Sequence, residues 1–75
     1  MASREAAAEV KRRHSSELMA DPGIHGVGTA RRGDDWVLEV HVIPGATGLV
    51  LPTELDGVPV HIVGDAPFRA GPARA

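Results

Sequence analysis

The run Trp36-Val37-Leu38-Glu39-Val40-His41-Val42-Ile43 is dense in β-branched residues and reads as a strand. Its period of two places Leu38, Val40 and Val42 on one face and Val37, Glu39, His41 and Ile43 on the other. The first face is wholly aliphatic and demands a cover, whereas the second alternates apolar with titratable side chains. The elements on either side have to supply that cover.

Upstream, Arg32-Gly33-Asp34-Asp35 supplies a tight turn, so the segment before it, Gly23-Ile24-His25-Gly26-Val27-Gly28-Thr29-Ala30-Arg31-Arg32, is the other arm of a hairpin. Ile24, Val27 and Thr29 favour the strand, while Gly26 and Gly28 weaken it and mark the close approach of another backbone, expected here to be a helix crossing over it. That helix is predicted over residues 4 to 20: Ser3 is a capping residue, Glu5 lies in the first turn, and Ala6 through Arg13 are mostly good helix formers. Ala7, Val10, His14 and Leu18 recur at helical spacing and form a narrow stripe, apolar except at His14. Asp21-Pro22-Gly23 stops the helix.

Downstream, Pro44-Gly45-Ala46-Thr47-Gly48 breaks the strand, and Leu49-Val50-Leu51-Pro52 is short enough to be a turn of helix or a crossover. Asp56-Gly57 then introduces a third strand, Val58-Pro59-Val60-His61-Ile62-Val63, with Val58, Val60 and Ile62 on one face and Pro59, His61 and Val63 on the other. Pro59 argues for an edge strand or the start of a strand. The expected fold class is α+β: one N-terminal helix packed on a three-stranded sheet, in the order helix, strand, strand, short helix or crossover, strand. Residues 1–70 form a single domain, and residues 71–75 are expected to be a disordered tail.

Composition narrows the function. Seventy-five residues bury only about 60% of the surface the unfolded chain exposes, and chains of this size commonly lean on disulfides, a metal or a partner subunit. With no cysteine, disulfides are excluded. A net charge of −2 gives no positive field to gather phosphates, so nucleic acid is not an expected partner. No apolar run approaches a membrane span, and the N-terminus lacks the apolar stretch of a secretory signal; the expectation is a cytoplasmic protein with no membrane partner.

The histidines are the chemically informative set. His41 and Glu39 share a strand face, and His61 can occupy the corresponding face of the third strand. If the hairpin register sets His25 opposite His41, the group His25, His41, His61 and Glu39 forms a zinc-type ligand set; a register one residue away faces Val27 toward Val40, sets His25 against Val42 and dissolves it. Other motifs have simpler readings. Gly23, Gly26 and Gly28 lie beside a strand that leads into a hairpin, not a turn that opens a helix, which is the wrong context for a phosphate loop. Lys11, Arg12 and Arg13 are balanced by Glu5, Glu9 and Glu17 as a solvated helix face. Arg32-Gly33-Asp34 is a hairpin turn, not an adhesion motif. Ser15 and Ser16 adjoin His14 on one helix, where adjacent residues do not face each other, so no catalytic residue is assigned and an enzyme is not expected.

The runs Pro22 to Arg32, Asp34 to Pro44 and Leu51 to Val63, with Asp56-Gly57-Val58-Pro59-Val60 as the most specific piece, together resemble the small N-terminal α/β region found ahead of some bacterial and plant trypsin-like serine peptidases. The resemblance covers about residues 12 to 64 and implies a fold, not an activity: none of that family's catalytic residues can be placed on this sequence. The functional expectation is a non-catalytic interaction module with no cofactor, associating with itself or a larger protein through the open sheet face at Val37, Glu39, His41, Ile43, His61 and Val63. The alternative is a small zinc-binding protein using His25, His41 and His61.

Overall fold

The helix begins where its first free amides find an acceptor. In the computed structural model, which describes residues 2–46, 48–64 and 68–71, the Ser3 hydroxyl accepts the Ala6 amide and caps α1 (Arg4–Met19). After Ala20 the chain turns at once: the Asp21 carboxylate accepts the Gly23 amide, and β1 (Ile24–Arg32) follows. The remaining elements are β2 (Asp35–Val42), β3 (Leu49–Pro52), β4 (Glu54–Leu55), β5 (Val58–Val63) and β6 (Phe68–Gly71).

β1, β2, β5 and β4 form one sheet in that spatial order, and β3 pairs with β6 in a separate two-stranded parallel sheet. β1 and β2 are antiparallel, joined by the two-residue loop Gly33-Asp34 between the paired Arg32 and Asp35. Gly33 carries φ +64°, the positive value that such a loop requires at its first position. β5 runs parallel to β2, with Leu38 beside Val60, Glu39 beside His61, Val40 beside Ile62 and His41 beside Val63. A parallel neighbour needs a long crossover. Residues 43 to 57 supply it, so Leu49–Pro52 is a strand of that crossover, not a turn of helix.

The expected α+β architecture is present, with one helix among the described residues, at the N-terminus. The sheet has four strands where three were expected, because the two-residue β4 is too short to leave a periodic trace. It exists because Asp56 (φ +50°) and Gly57 (φ +83°) both adopt the left-handed region and fold β4 back on β5 through a tight turn. Pro59, lacking an N–H, sits opposite Glu54, one residue before the pairing of β5 with β2 begins at Val60. It therefore marks the start of a strand. Gly71, expected in the tail, belongs to β6; residues 72–75 of that tail lie outside the described residues.

One cluster forms the core. Ala7, Val10 and Leu18 from α1 meet Leu38, Val40 and Val42 from β2, Ile24 from β1, Leu49 and Leu51 from β3, and Leu55 and Val58 around the second turn. Leu38 and Val40 are fully shielded from solvent, and each side chain of this kind stabilises the fold by about 1.5–3 kcal/mol. The helix lies chiefly over β1, with fewer contacts to β2 and β5. Its start is held against the hairpin: the Trp36 amide donates to the Ala2 carbonyl, the Ala2 amide to the Asp35 carboxylate, and the Arg4 guanidinium lies 5.9 Å from the centre of the Trp36 ring.

Leu38→Ala is expected to lower the unfolding free energy by about 2–5 kcal/mol, whereas Val50→Ala, on an exposed β3 side chain, should change it by no more than about 0.5 kcal/mol. Urea denaturation followed by circular dichroism measures both.

Candidate functional site

The face of the sheet turned away from α1 is where the titratable strand residues collect. Glu39, His41, His61 and Val63 lie on it as two lateral pairs, Glu39 beside His61 and His41 beside Val63, so four of the six residues expected at an interface stand together. The other two differ. Val37 shares the face but is only 2% exposed, and so offers no free surface. Ile43 lies just past the end of β2; its amide donates to the Gly23 carbonyl while its side chain remains exposed.

The hairpin uses both of the candidate registers, one on each side of a bulge. From Gly26 to Arg32 the register is the one that faces Val27 to Val40, while Ile24 pairs with Val42, and the irregularity between them leaves His25 as the extra residue. A bulge of this kind redirects a side chain. Here it brings the His25 ring to 6.1 Å from the His41 ring, edge to face at 77°. Glu39 lies between Arg32 Nη2 at 3.7 Å and His41 Nε2 at 3.4 Å. Both separations exceed a good charged hydrogen bond and both partners are solvent-accessible, so each pair is worth at most about 1 kcal/mol. The expected trio of His25, His41 and His61 is not assembled: among the described residues no three histidine or acidic side chains converge as a metal-binding group. Glu39, not His25, is the register neighbour of His61, two strands away from β1.

Sequence reading missed a second titratable contact. His14, the polar break in the helix stripe, is turned toward the β4–β5 hairpin, where its Nε2 lies 2.8 Å from Asp56 Oδ2. Arg13 Nη1 is 3.6 Å from the same oxygen, and Glu17 Oε2 is 3.8 Å from His14 Nδ1. A carboxylate has no proton to give, so Nε2–H donates. That hydrogen bond holds the Asp56 carboxyl below its ordinary range, with the positive charges of His14 and Arg13 adding to the effect and partial desolvation opposing it. The signal available in the sequence was the placement of His14 on an otherwise apolar stripe together with an Asp-Gly turn downstream.

An open depression of about 390 Å³ is lined by Asp21, Pro22, Gly23, Ile43, Pro44 and Ala46. Asp21 is its one ionisable group, and that carboxylate already accepts the Gly23 amide. Among the described residues no helix is long and apolar enough to cross a membrane. No family model, curated protein or solved structure matches the chain, which leaves its own geometry to carry the functional reading.

The depressed Asp56 pKa gives a signed pH dependence. Its contribution to stability is complete above the ordinary carboxylate value of 3.8 and is lost as the pH falls through the lower folded-state value. Asp56→Asn, which keeps a side chain tolerant of the left-handed turn, is therefore expected to be less stable than the wild type at pH 7, by a margin that shrinks when the pH is lowered to 2. Urea midpoints at the two pH values check this.

Proposed function

We propose that this chain is a non-catalytic assembly module that associates with a second copy of itself on the side of the sheet opposite α1. The observation that carries the reading is the one-sided construction of the sheet. Among the described residues, α1 makes the most extensive contact with the sheet of any element outside it, and the core cluster, to which β3 also contributes, lies on the helix side, with Val37 the one buried side chain on the other. The other side presents His41, His61 and Val63 at the surface, with the exposed Ile43 at its rim. A chain of this size gains proportionally more than a large one from covering such a surface. Its charges favour self-contact, since the Arg32 guanidinium and the Glu39 carboxylate stand next to each other on the face.

A second reading, a divalent-metal site, is favoured by the bulge that sets the His25 and His41 rings side by side with Glu39 next to them. Two imidazoles and a carboxylate are zinc-type donors. It ranks second because among the described residues no three such side chains, His25, His41 and Glu39 included, converge as a metal-binding group.

Light scattering with in-line chromatography over a hundredfold dilution, with and without chelator, separates these readings. The assembly reading expects an oligomer that is indifferent to chelator. A monomer at every concentration overturns it. A rise in melting temperature with zinc that is absent from the doubly substituted His25→Ala, His41→Ala protein would put the metal reading in its place.

A further inference from the structure

β1 is an edge strand with an unexplained glycine. Among the described residues the spatial order β1-β2-β5-β4 leaves one side of β1 unpaired, and nine residues is long for an edge. Gly28 lies at its centre. Its φ is not among the positive values found at the turn glycines, so the backbone would accept any residue. A Cβ built there meets nothing within 4 Å among the described residues, so neither does packing against them require a glycine. The helix does not account for it either: α1 packs on the Val27 side of β1, whereas Gly28 pairs with Glu39 and faces the opposite way. Glycine in a strand interior gives up more conformational entropy than any other residue, and without a use inside the monomer it points to close approach from outside.

The direction of the backbone groups agrees. Arg32 and Asp35 flank a two-residue hairpin loop and so exchange hydrogen bonds with each other. By the alternation of an antiparallel ladder, Ala30 with Val37 and Gly28 with Glu39 are also hydrogen-bonded pairs, and the N–H and C=O groups of Val27 and Thr29 point away from β2 to the free edge.

We infer that two copies of this chain pair antiparallel along β1, with Gly28 on the twofold axis, joining two four-stranded sheets into one continuous sheet. This rests on the self-association proposed above and sets its contact at the free edge of the sheet, beside the open face. Val27 of each copy exchanges both backbone hydrogen bonds with Thr29 of the other, satisfying the outward-pointing groups. Gly28 then faces Gly28 as a non-hydrogen-bonded pair, the closer kind, with Cα atoms about 4.5 Å apart. On that face the flanking pair is Gly26 with Ala30, so the two open faces meet at a strip of minimal side chains, and the second copy gives Gly28 its close neighbour. Charge selects the direction. From Ile24 to Ala30 the strand has no acidic or basic residue apart from His25, and it ends in Arg31-Arg32. Antiparallel pairing holds the two Arg31-Arg32 ends apart, whereas parallel pairing would stack them against each other.

Two substitutions and one measurement on the unaltered chain test this. Gly28→Lys enters open space in the monomer but sets two ammonium groups directly opposite each other on the axis, and Thr29→Pro removes an outward N–H without touching the ladder to β2. Both are expected to leave the circular dichroism spectrum unchanged and to yield monomer at concentrations where the wild type is dimeric. In the wild type, hydrogen exchange at the Val27 and Thr29 amides should slow at least about tenfold from dilute to concentrated protein, with Gly28 and Ala30 protected throughout. A wild-type oligomer in which the Val27 and Thr29 amides exchange freely, or which persists in folded Gly28→Lys protein, overturns the edge pairing and leaves the assembly reading standing. A wild type that is monomeric at every concentration overturns both.

Discussion

The constraint on which the rest depends is the alternation of β2. It is the strand with a long neighbour on each side, antiparallel β1 and parallel β5, and its buried set Leu38, Val40 and Val42 is the floor on which α1, β3 and the β4–β5 turn converge. A slip of one residue would move these aliphatic side chains to the far face and turn Glu39 and His41 into the core. The cost of burying two ionisable groups without compensating partners is far greater than any local preference of the chain, so the register of the whole sheet is set from this strand outward.

The sheet is held in place at both ends of the helix by polar contacts of different kinds. At the start, backbone and carboxylate bonds between Ala2 and the pair Asp35 and Trp36 fasten the chain to the first hairpin. Farther along, His14 reaches the second hairpin at Asp56. The helix therefore bridges elements that are distant in sequence, and a polar residue on its inner stripe is accommodated because the turn opposite offers a carboxylate and not an apolar surface. The same asymmetry leaves the other face of the sheet to side chains that tolerate water.

That far face combines three features with one origin. The bulge at His25, the contacts of Glu39 with Arg32 and His41, and the bare backbone at Gly28 all lie on or beside the strand at the free edge. Edge strands of soluble proteins are usually guarded by inward charges, prolines or covering loops. Here the bulge and the arginine pair guard the two ends, and the five residues between them carry no charge. An edge protected at its ends and smooth at its centre limits pairing to a short segment, which gives an association defined register and direction.

Local chemistry made much of this architecture legible in the sequence. The Ser3 cap, the alanine-rich first turns and the Asp21-Pro22-Gly23 stop delimit the helix to within a residue because capping and breaking act over three or four residues. The alternation of Trp36 to Ile43 assigned each side chain to its face, and Gly33 and Gly57 marked the turns. Long-range geometry decided the remainder. Only strand pairing shows that β5 runs parallel to β2, that the two-residue β4 exists, and that β3 pairs with β6. The bulge between Ile24 and Gly26 settled which histidines meet, since either register alone satisfied the local pattern. Val37, assigned to the correct face, proved buried, and His14 found its partner 42 residues away. Turns and caps are legible because their energies are local; register, burial and long-range pairs depend on which surfaces the whole chain can close at once.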